Sequence, residues 1–392
     1  MALLNTDDFR AAARRRLPRG LFEYIDRGTE DEVSLGRIRD SLDALRLVPR
    51  ILNGACPAST EARFLGRTRP TPLVIAPTAL AGMVAEAGET RLARAASRFG
   101  IPFTVSTQSV EPIEDIRRGA PDAELWFQLY VWKDRARTAE LLRRVAACGC
   151  ETLVLTVDTQ MPPKREYNLR NGFGIPFRPT PRNLADMAMR PGWLWRVILR
   201  PWGRRGMPSY GHYPAEFRSG LLSPVTAEAL RLDPALTWQD LRGLRDDWKG
   251  RLVLKGVLDP RDAKRAWDEG VDAVVVSTHG GRNCDSLPTT AEVLPRIAAK
   301  TAAKTAAETA AETGAVPELL ADSGVRRGSD VLKYLALGAV GVQLGRAPLW
   351  GLAAGGEEGA AAVIQTILAE MRTTMGFLGA ATLSDLESFR PT

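Results

Sequence analysis

The sequence predicts a (β/α)8 barrel, with an N-terminal helical segment ahead of it and a long insertion after its fourth strand. Three observations carry that prediction. Eight short runs rich in β-formers recur along the chain, each is followed by a stretch of helical spacing, and the runs are apolar throughout instead of alternating. Unbroken apolar runs belong to strands buried on both faces, as in a parallel sheet covered by helices. Eight such units close naturally on themselves. An open doubly wound sheet would not require eight, and no GxGxxG follows the first run.

Residues 1–60 read as helical and are expected to cap one end of the barrel, which then occupies 61–392. The runs are PLVIAP (72–77), FTVST (103–107), LWFQLY (125–130), TLVLTVD (152–158), LVLKG (252–256), AVVVSTHG (273–280), ELLADSG (318–324) and GVQLGR (341–346). Between them, GETRLARAASRFG, DRARTAELLRRVAACG, PRDAKRAWDEG and SDVLKYLALGA have helical periodicity, and several stop at glycine. The fourth connection swells to 159–251, a length that marks a lid or binding segment. Ahead of the seventh run, AAKTAAKTAAETAAETG (298–314) repeats every four residues. Alanine with charges four apart predicts a solvated helical extension without chemistry.

With 45% apolar and 25% charged residues among 392, the composition is that of a globular protein. No run approaches the roughly 20 apolar residues that span a bilayer. The N-terminus lacks the charged-then-apolar order of a secretory signal, so a cytoplasmic location is expected. Four cysteines make no disulfide framework, and Cys148 and Cys150 have neither the spacing nor the neighbouring histidines of a metal site. All four are expected as free thiols, with no metal. A net charge of +7 suits carboxylates, phosphates or acidic lipid heads. Without zinc-finger spacing, RNA-binding aromatics or heptads, nucleic acid is not an expected partner.

Catalytic groups in such a barrel lie at the C-terminal strand ends. Those ends are Thr78, Ser106, Gln128 with Tyr130, Thr156 with Asp158, Lys255, Ser277 with His279, Asp322 with Gly324, and Gly345 with Arg346. So many polar ends converging on one mouth mark a pocket. A lone histidine is more often a satisfied core residue. His279, however, ends a strand beside two glycines and Arg282, and Asp158 is two strands away, which suits a general base with an acidic orienter. The glycine turns in ADSGVRRGSD and QLGRAPLWG lead into helices and suit a phosphate, with Arg326 and Arg346 as donors. Lys255 suits an anion developing on cofactor or substrate, and a Schiff-base role stays open at this level.

Taken in order, LPRGLFEYIDRGTEDE, LWFQLY, TLVLTVD, LVLKG, STHGGRNCD and LADSGVRRGSDVLKYLALGA closely resemble the FMN-dependent 2-hydroxy-acid dehydrogenase and oxidase family. Its members include glycolate oxidase, flavin-type lactate dehydrogenases and mandelate dehydrogenase, the last being the nearest in pattern. The resemblance runs from about residue 7 to about residue 385. It implies a TIM barrel, FMN, and oxidation of a 2-hydroxy acid to the 2-oxo acid, with oxygen, a quinone or a protein as electron acceptor. A homo-oligomer, a tetramer, is also implied.

Residue by residue, the resemblance implies His279 as base and Asp158 as its carboxylate partner. It implies that Arg165 (in PPKREYNLRNGF) and Arg282 clamp the substrate carboxylate, and that Tyr24 and Tyr130 hydrogen-bond the substrate. Lys255 is implied beside the flavin N1–C2=O edge. Thr78, Ala79, Ser106, Gln128, Thr156 and Ser277 match the isoalloxazine and ribityl lining. Asp322, Gly324, Arg326, Gly345 and Arg346 match the ribityl and phosphate end. Three departures stand out: Thr278 where the family commonly has Asn, Asn283-Cys284 where it has Gln-Leu, and Gln108 where glycolate oxidase has Trp. They leave base and clamp intact and bear on the substrate side chain and the acceptor. An aromatic or otherwise large hydroxy acid is expected. The alternative is a peptide-derived or secondary-metabolite substrate oxidised at a C–N or C–O bond beside a carbonyl, and a non-redox phosphate-binding barrel stands third.

Within the insertion, MRPGWLWRVILRPWGRRGM (189–207) holds three tryptophans and five arginines. Such interleaving suits a membrane interface. The resemblance implies the same, as peripheral contact on the inner face of the cell membrane. A lid or subunit contact with buried tryptophans is the competing reading.

Overall fold

The computed structural model describes residues 2–54, 56, 59–173, 177–205, 207–214, 231–310 and 317–389. A short antiparallel hairpin, β1 (Ala62–Phe64) and β2 (Arg67–Arg69), precedes eight parallel strands. These are β3 (Leu73–Ile75), β4 (Phe103–Ser106), β5 (Leu125–Leu129), β6 (Thr152–Thr156), β7 (Arg251–Val257), β8 (Ala273–Val276), β9 (Glu318–Ala321) and β10 (Gly341–Leu344). They form a closed barrel in chain order, β10 pairing with both β9 and β3. Every residue of β3, β4, β5, β6, β8 and β10 is buried, which is why their sequences are apolar runs without alternation. The predicted (β/α)8 barrel is the observed fold.

Register sets the site. Ser106 lies opposite Gln128 across β4–β5, and Thr156 opposite Lys255 across β6–β7, so these side chains share the level of the rim. Between β7 and β8 the register slips at Gly256. That glycine has φ +106°, and a Cβ there would stand 2.6 Å from Asp158 Cβ. The slip and the missing side chain together make room for the Asp158 carboxylate.

The two ends of the barrel are closed differently. At the N-terminal ends of the strands, Phe64 of the hairpin packs edge-on against Trp126, their centroids 6.3 Å apart, within an inner cluster that includes Val74, Val154, Val253, Val275 and Leu320. The helices Arg19–Asp26 and Val33–Ala44 lie at the opposite end, where Tyr24, Ile25, Leu35 and Arg39 face the mouth. The Asp285 carboxylate accepts the N–H groups of Asp31, Val33 and Ser34 and so ties that segment down.

The alanine-rich repeat continues a helix, Thr290–Ala310, as expected, and 311–314 lie outside the described residues. The described residues of the insertion include helices Glu166–Asn171, Pro181–Ala188, Pro191–Trp193, Arg200–Arg205 and Trp238–Asp247 and a π-helical turn Leu194–Leu199. All four cysteines are free.

Candidate active site

A cavity of about 770 Å³ opens at the C-terminal strand ends, within the range of small-molecule sites. On its wall lie Tyr24, Thr78, Ala79, Ser106, Gln128, Tyr130, Thr156, Arg165, Lys255, His279, Arg282, Asp322, Gly324, Arg326, Gly345 and Arg346. Two expected site residues stand behind the wall instead. Asp158 is packed against the His279 imidazole, and Ser277 sits beneath Lys255.

His279 follows β8 in the left-handed region, φ +52°. Its Nδ1 is 2.9 Å from Asp158 Oδ1. An ionised carboxylate only accepts, so Nδ1 carries a hydrogen, and in the neutral imidazole Nε2 is the nitrogen with the lone pair. Burial pushes the Asp158 carboxyl upward, but the imidazole and Lys255 outweigh it and hold the group below the ordinary carboxylate range. Thr159 Oγ1 donates to Asp158 Oδ1 at 3.2 Å, and Asn283 Nδ2 donates to the Asp158 carbonyl at 2.7 Å. Asn283, one of the departures noted in the sequence, thus braces the imidazole–carboxylate pair.

Lys255 is buried, donating to Ser277 Oγ at 2.9 Å and pairing with Asp322 Oδ2 at 3.0 Å. Burial lowers its pKa, yet Asp322 and Asp158 raise it further, so the ammonium is held above its ordinary value. A protonated, ion-paired amine is no nucleophile, and the Schiff-base alternative falls away. Ser277 does not reach the cavity because its hydroxyl is taken by Lys255 and by the His279 N–H, 3.0 Å away. The Asp322 carboxylate is likewise taken by Lys255 and Ser323.

Arg282 Nη1 donates to the carbonyls of Tyr24 at 2.7 Å, Arg27 at 3.1 Å and Ile25 at 3.4 Å, and the Arg282 carbonyl accepts from Arg165 at 3.4 Å. Both guanidinium groups face the Tyr24 ring, at 5.9 Å for Arg165 and 5.1 Å for Arg282. Among the described residues no carboxylate pairs with either, and burial followed by Arg282 depresses the Arg165 pKa. Two neighbouring half-desolvated cations are relieved by an anion between them.

Arg346 lines the cavity as expected and is also held by main chain. Its side chain donates to the carbonyls of Ile25, Arg27 and Gly280, clasping the N-terminal segment to the loop after β8. Burial, then Arg282, pushes it down to about 9. Groups at this end that could hold an anion are the backbone at the start of the helix Arg346–Leu378, the open space beside Gly345, and the Arg326 and Arg346 guanidinium groups. A Cβ on Gly324 would meet Ile38 at 2.3 Å, so only glycine fits there.

Sequence reading missed Gln343 of β10, which lines the cavity with both side-chain polar atoms buried and unpartnered. A lone amide inside GVQLG was the available signal. It also missed Tyr210 and Tyr213, which reach the cavity from the insertion and carry no local signal. Thr78 Oγ1, Gln128 Nε2 and Thr156 Oγ1 are further buried atoms without partners on the same wall. A rim of unsatisfied donors and acceptors around a lysine, with an anion site at one end, fits the polar edge and phosphate of FMN.

The profile of FMN-dependent dehydrogenases matches residues 13–390. The chain belongs to that family. This FMN-dependent dehydrogenase is similar to the L-lactate dehydrogenase of Pectobacterium atrosepticum, 41% identical over 394 residues, covering 99% of this chain and 96% of that protein. The L-lactate dehydrogenase of Caulobacter vibrioides is 41% identical over 382 residues, covering 97% and 95%. Among solved structures, the monotopic membrane protein (S)-mandelate dehydrogenase superposes with a TM-score of 0.89 at 36% identity over the whole of both chains. A mandelate oxidase gives 0.81 at 30% identity, covering 100% and 99%. The FMN-dependent dehydrogenase is therefore an oxidoreductase with FMN as its cofactor, on the barrel fold of its relatives.

Proposed function

We propose that the enzyme oxidises a 2-hydroxy acid with a large, apolar or aromatic side chain to the 2-oxo acid. The observation that carries this reading is His279, its Nδ1 2.9 Å from the Asp158 carboxylate behind it, on a wall shared with two guanidinium groups that pair with no carboxylate among the described residues. Arg165 and Arg282 bind the substrate carboxylate as planar forks. The Tyr130 phenol, pushed up to about 12 by burial and by Asp158, stays a hydrogen-bond donor to the substrate, beside Tyr24. His279 Nε2 takes a proton, from the hydroxyl in a hydride route or from Cα in a carbanion route, and the Asp158 charge stabilises the imidazolium. Bound FMN supplies the two-electron acceptor. Thr78, Gln128, Thr156, Lys255 and Gln343 would hold its ring system, and Gly324, Arg326 and the backbone at Gly345–Arg346 its phosphate.

The relatives named above carry both lactate and mandelate in their names. Tyr210 and Tyr213, with ring centroids 4.9 Å apart, add an aromatic wall alongside Met161 and Leu232. That wall favours the larger side chain. Anaerobic flavin bleaching should be faster with aromatic 2-hydroxy acids than with lactate. The reverse order overturns the side-chain assignment.

Peripheral membrane contact, with a quinone as acceptor, is part of the same proposal. Trp193 and Val197 are buried, Trp193 Nε1 donating to the Met83 carbonyl, whereas Trp195, Leu199 and Trp202 are 60%, 44% and 55% exposed. Those three lie along one face beside Arg196 and Arg200. No helix among the described residues is long and apolar enough to cross a membrane. The W195S/W202S variant should stop sedimenting with anionic vesicles while reducing its flavin normally, and reoxidation by air as fast as by quinone would exclude the acceptor. Because Tyr210 and Tyr213 belong to the cavity, substitution is a cleaner test than deletion of the insertion. The expected tetramer is read by light scattering.

A further inference from the structure

Ser323 follows β9 with φ +85°, a conformation in which serine has no intrinsic advantage over glycine. Its hydroxyl is buried at the centre of four hydrogen bonds. It accepts from Thr278 Oγ1 at 2.9 Å, Gly280 N at 3.1 Å and, more weakly, Thr278 N at 3.3 Å, and it donates to Asp322 Oδ1 at 2.8 Å.

Those partners belong to the turn that carries His279. Gly281 N closes the turn on the Thr278 carbonyl at 3.0 Å. His279, Gly280 and Gly281 are consecutive left-handed residues, at φ +52°, +64° and +69°. A run of this kind persists only where the surroundings over-determine it. Here the N–H groups of Thr278, His279 and Gly280 all end on two hydroxyls, those of Ser323 and Ser277. Both hydroxyls connect to one ammonium: Ser277 accepts directly from Lys255 at 2.9 Å, and Ser323 reaches Lys255 through Asp322, whose other oxygen is 3.0 Å from Nζ.

We propose that Ser323 is a positioning residue for the base. Its hydroxyl locks the turn Thr278–Gly281, keeps the His279 imidazole on Asp158, and through Asp322 fixes that turn relative to the Lys255 ammonium. The proposal rests on His279 being the base. Thr278, which stands where the family commonly has Asn, is the lock's second half.

Ser323→Gly tests this cleanly, because glycine accepts φ +85° without strain and only the hydroxyl is lost. In the holoenzyme, kcat should fall roughly ten- to a hundred-fold while KM stays within about two-fold, since the arginine clamp is untouched. FMN content should remain near parental, whereas the melting temperature should fall by several degrees, because Thr278, Gly280 and Asp322 lose a buried hydrogen-bond partner. With only two histidines in the chain, 15N-histidine spectra of the holoenzyme resolve the His279 Nδ1–H signal, which should broaden or vanish. Thr278→Val should give a smaller loss, and the double variant should be no worse than Ser323→Gly alone. A kcat within two-fold of parental overturns the lock. So does a joint fall of kcat and FMN content with the Nδ1–H signal unchanged. If His279→Gln still reduces its flavin at the parental rate, the base assignment falls and the lock with it; if His279→Gln is inactive and Ser323→Gly is not impaired, the lock alone falls.

Discussion

The chain's two histidines occupy opposite chemical situations. His279 gives Nδ1 to Asp158 and keeps Nε2 for the cavity. His212, on the insertion, is buried with Nδ1 on the Thr107 carbonyl at 3.2 Å and Nε2 accepting the Ile113 N–H at 3.0 Å, its ring edge-on to Phe127. Both of its nitrogens are bound to main chain, so it fastens the insertion to the 107–113 loop and has nothing to offer a substrate. The contrast teaches that a histidine's role follows from which ring nitrogen the fold leaves available.

The largest way to break this contrast is His279→Gln. Flavin reduction by substrate, followed in stopped flow under anaerobic conditions, should slow by about 10³-fold or more with FMN retained. Asp158→Asn should follow, at roughly 10²-fold in kcat, because the wrong tautomer is favoured once the carboxylate is gone. His212→Ala should leave the rate of flavin reduction within a few-fold of parental. It should instead cost about 2–4 kcal/mol in denaturant unfolding, by leaving the Ile113 N–H and the Thr107 carbonyl unpaired. A His212 variant as slow as the His279 variant would erase the distinction.

The smallest effect sharpens the structural side. Glu89 holds the same loop by accepting the Val110 N–H at 2.9 Å, and burial, then the Glu111 carboxylate, push its carboxyl up to about 7. A folded-state pKa raised above the unfolded one contributes stability at acid pH that is lost as pH rises through about 7. Glu89→Gln should therefore raise the melting temperature at pH 8 and leave it nearly unchanged at pH 4. Asp158 works in the opposite sense: its carboxyl is depressed, so its contribution is present at neutral pH and disappears as acid protonates it.

Much of the site was legible because a parallel barrel converts a local pattern into a shared location. A polar residue at the end of an apolar run, such as Thr156 or Lys255, is carried to the rim by strand register alone. Other roles were not local. Ser277 looks like Ser106 in sequence, yet its hydroxyl is consumed by Lys255, and nothing local in the sequence shows that Arg346 also clasps three carbonyls. Tyr210 and Tyr213 sit far from any strand end.

By itself, then, the sequence determined the eight strands, the intervening helices and the chemical types gathered at the mouth, because burial on both faces and helical spacing are properties of short windows. Only the tertiary structure decided which polar atoms remain available. Barrel closure brings together groups as distant in sequence as Asp158 and His279 or Thr278 and Ser323, and hydrogen bonding across those gaps depends on register and on glycines such as Gly256 that permit close approach.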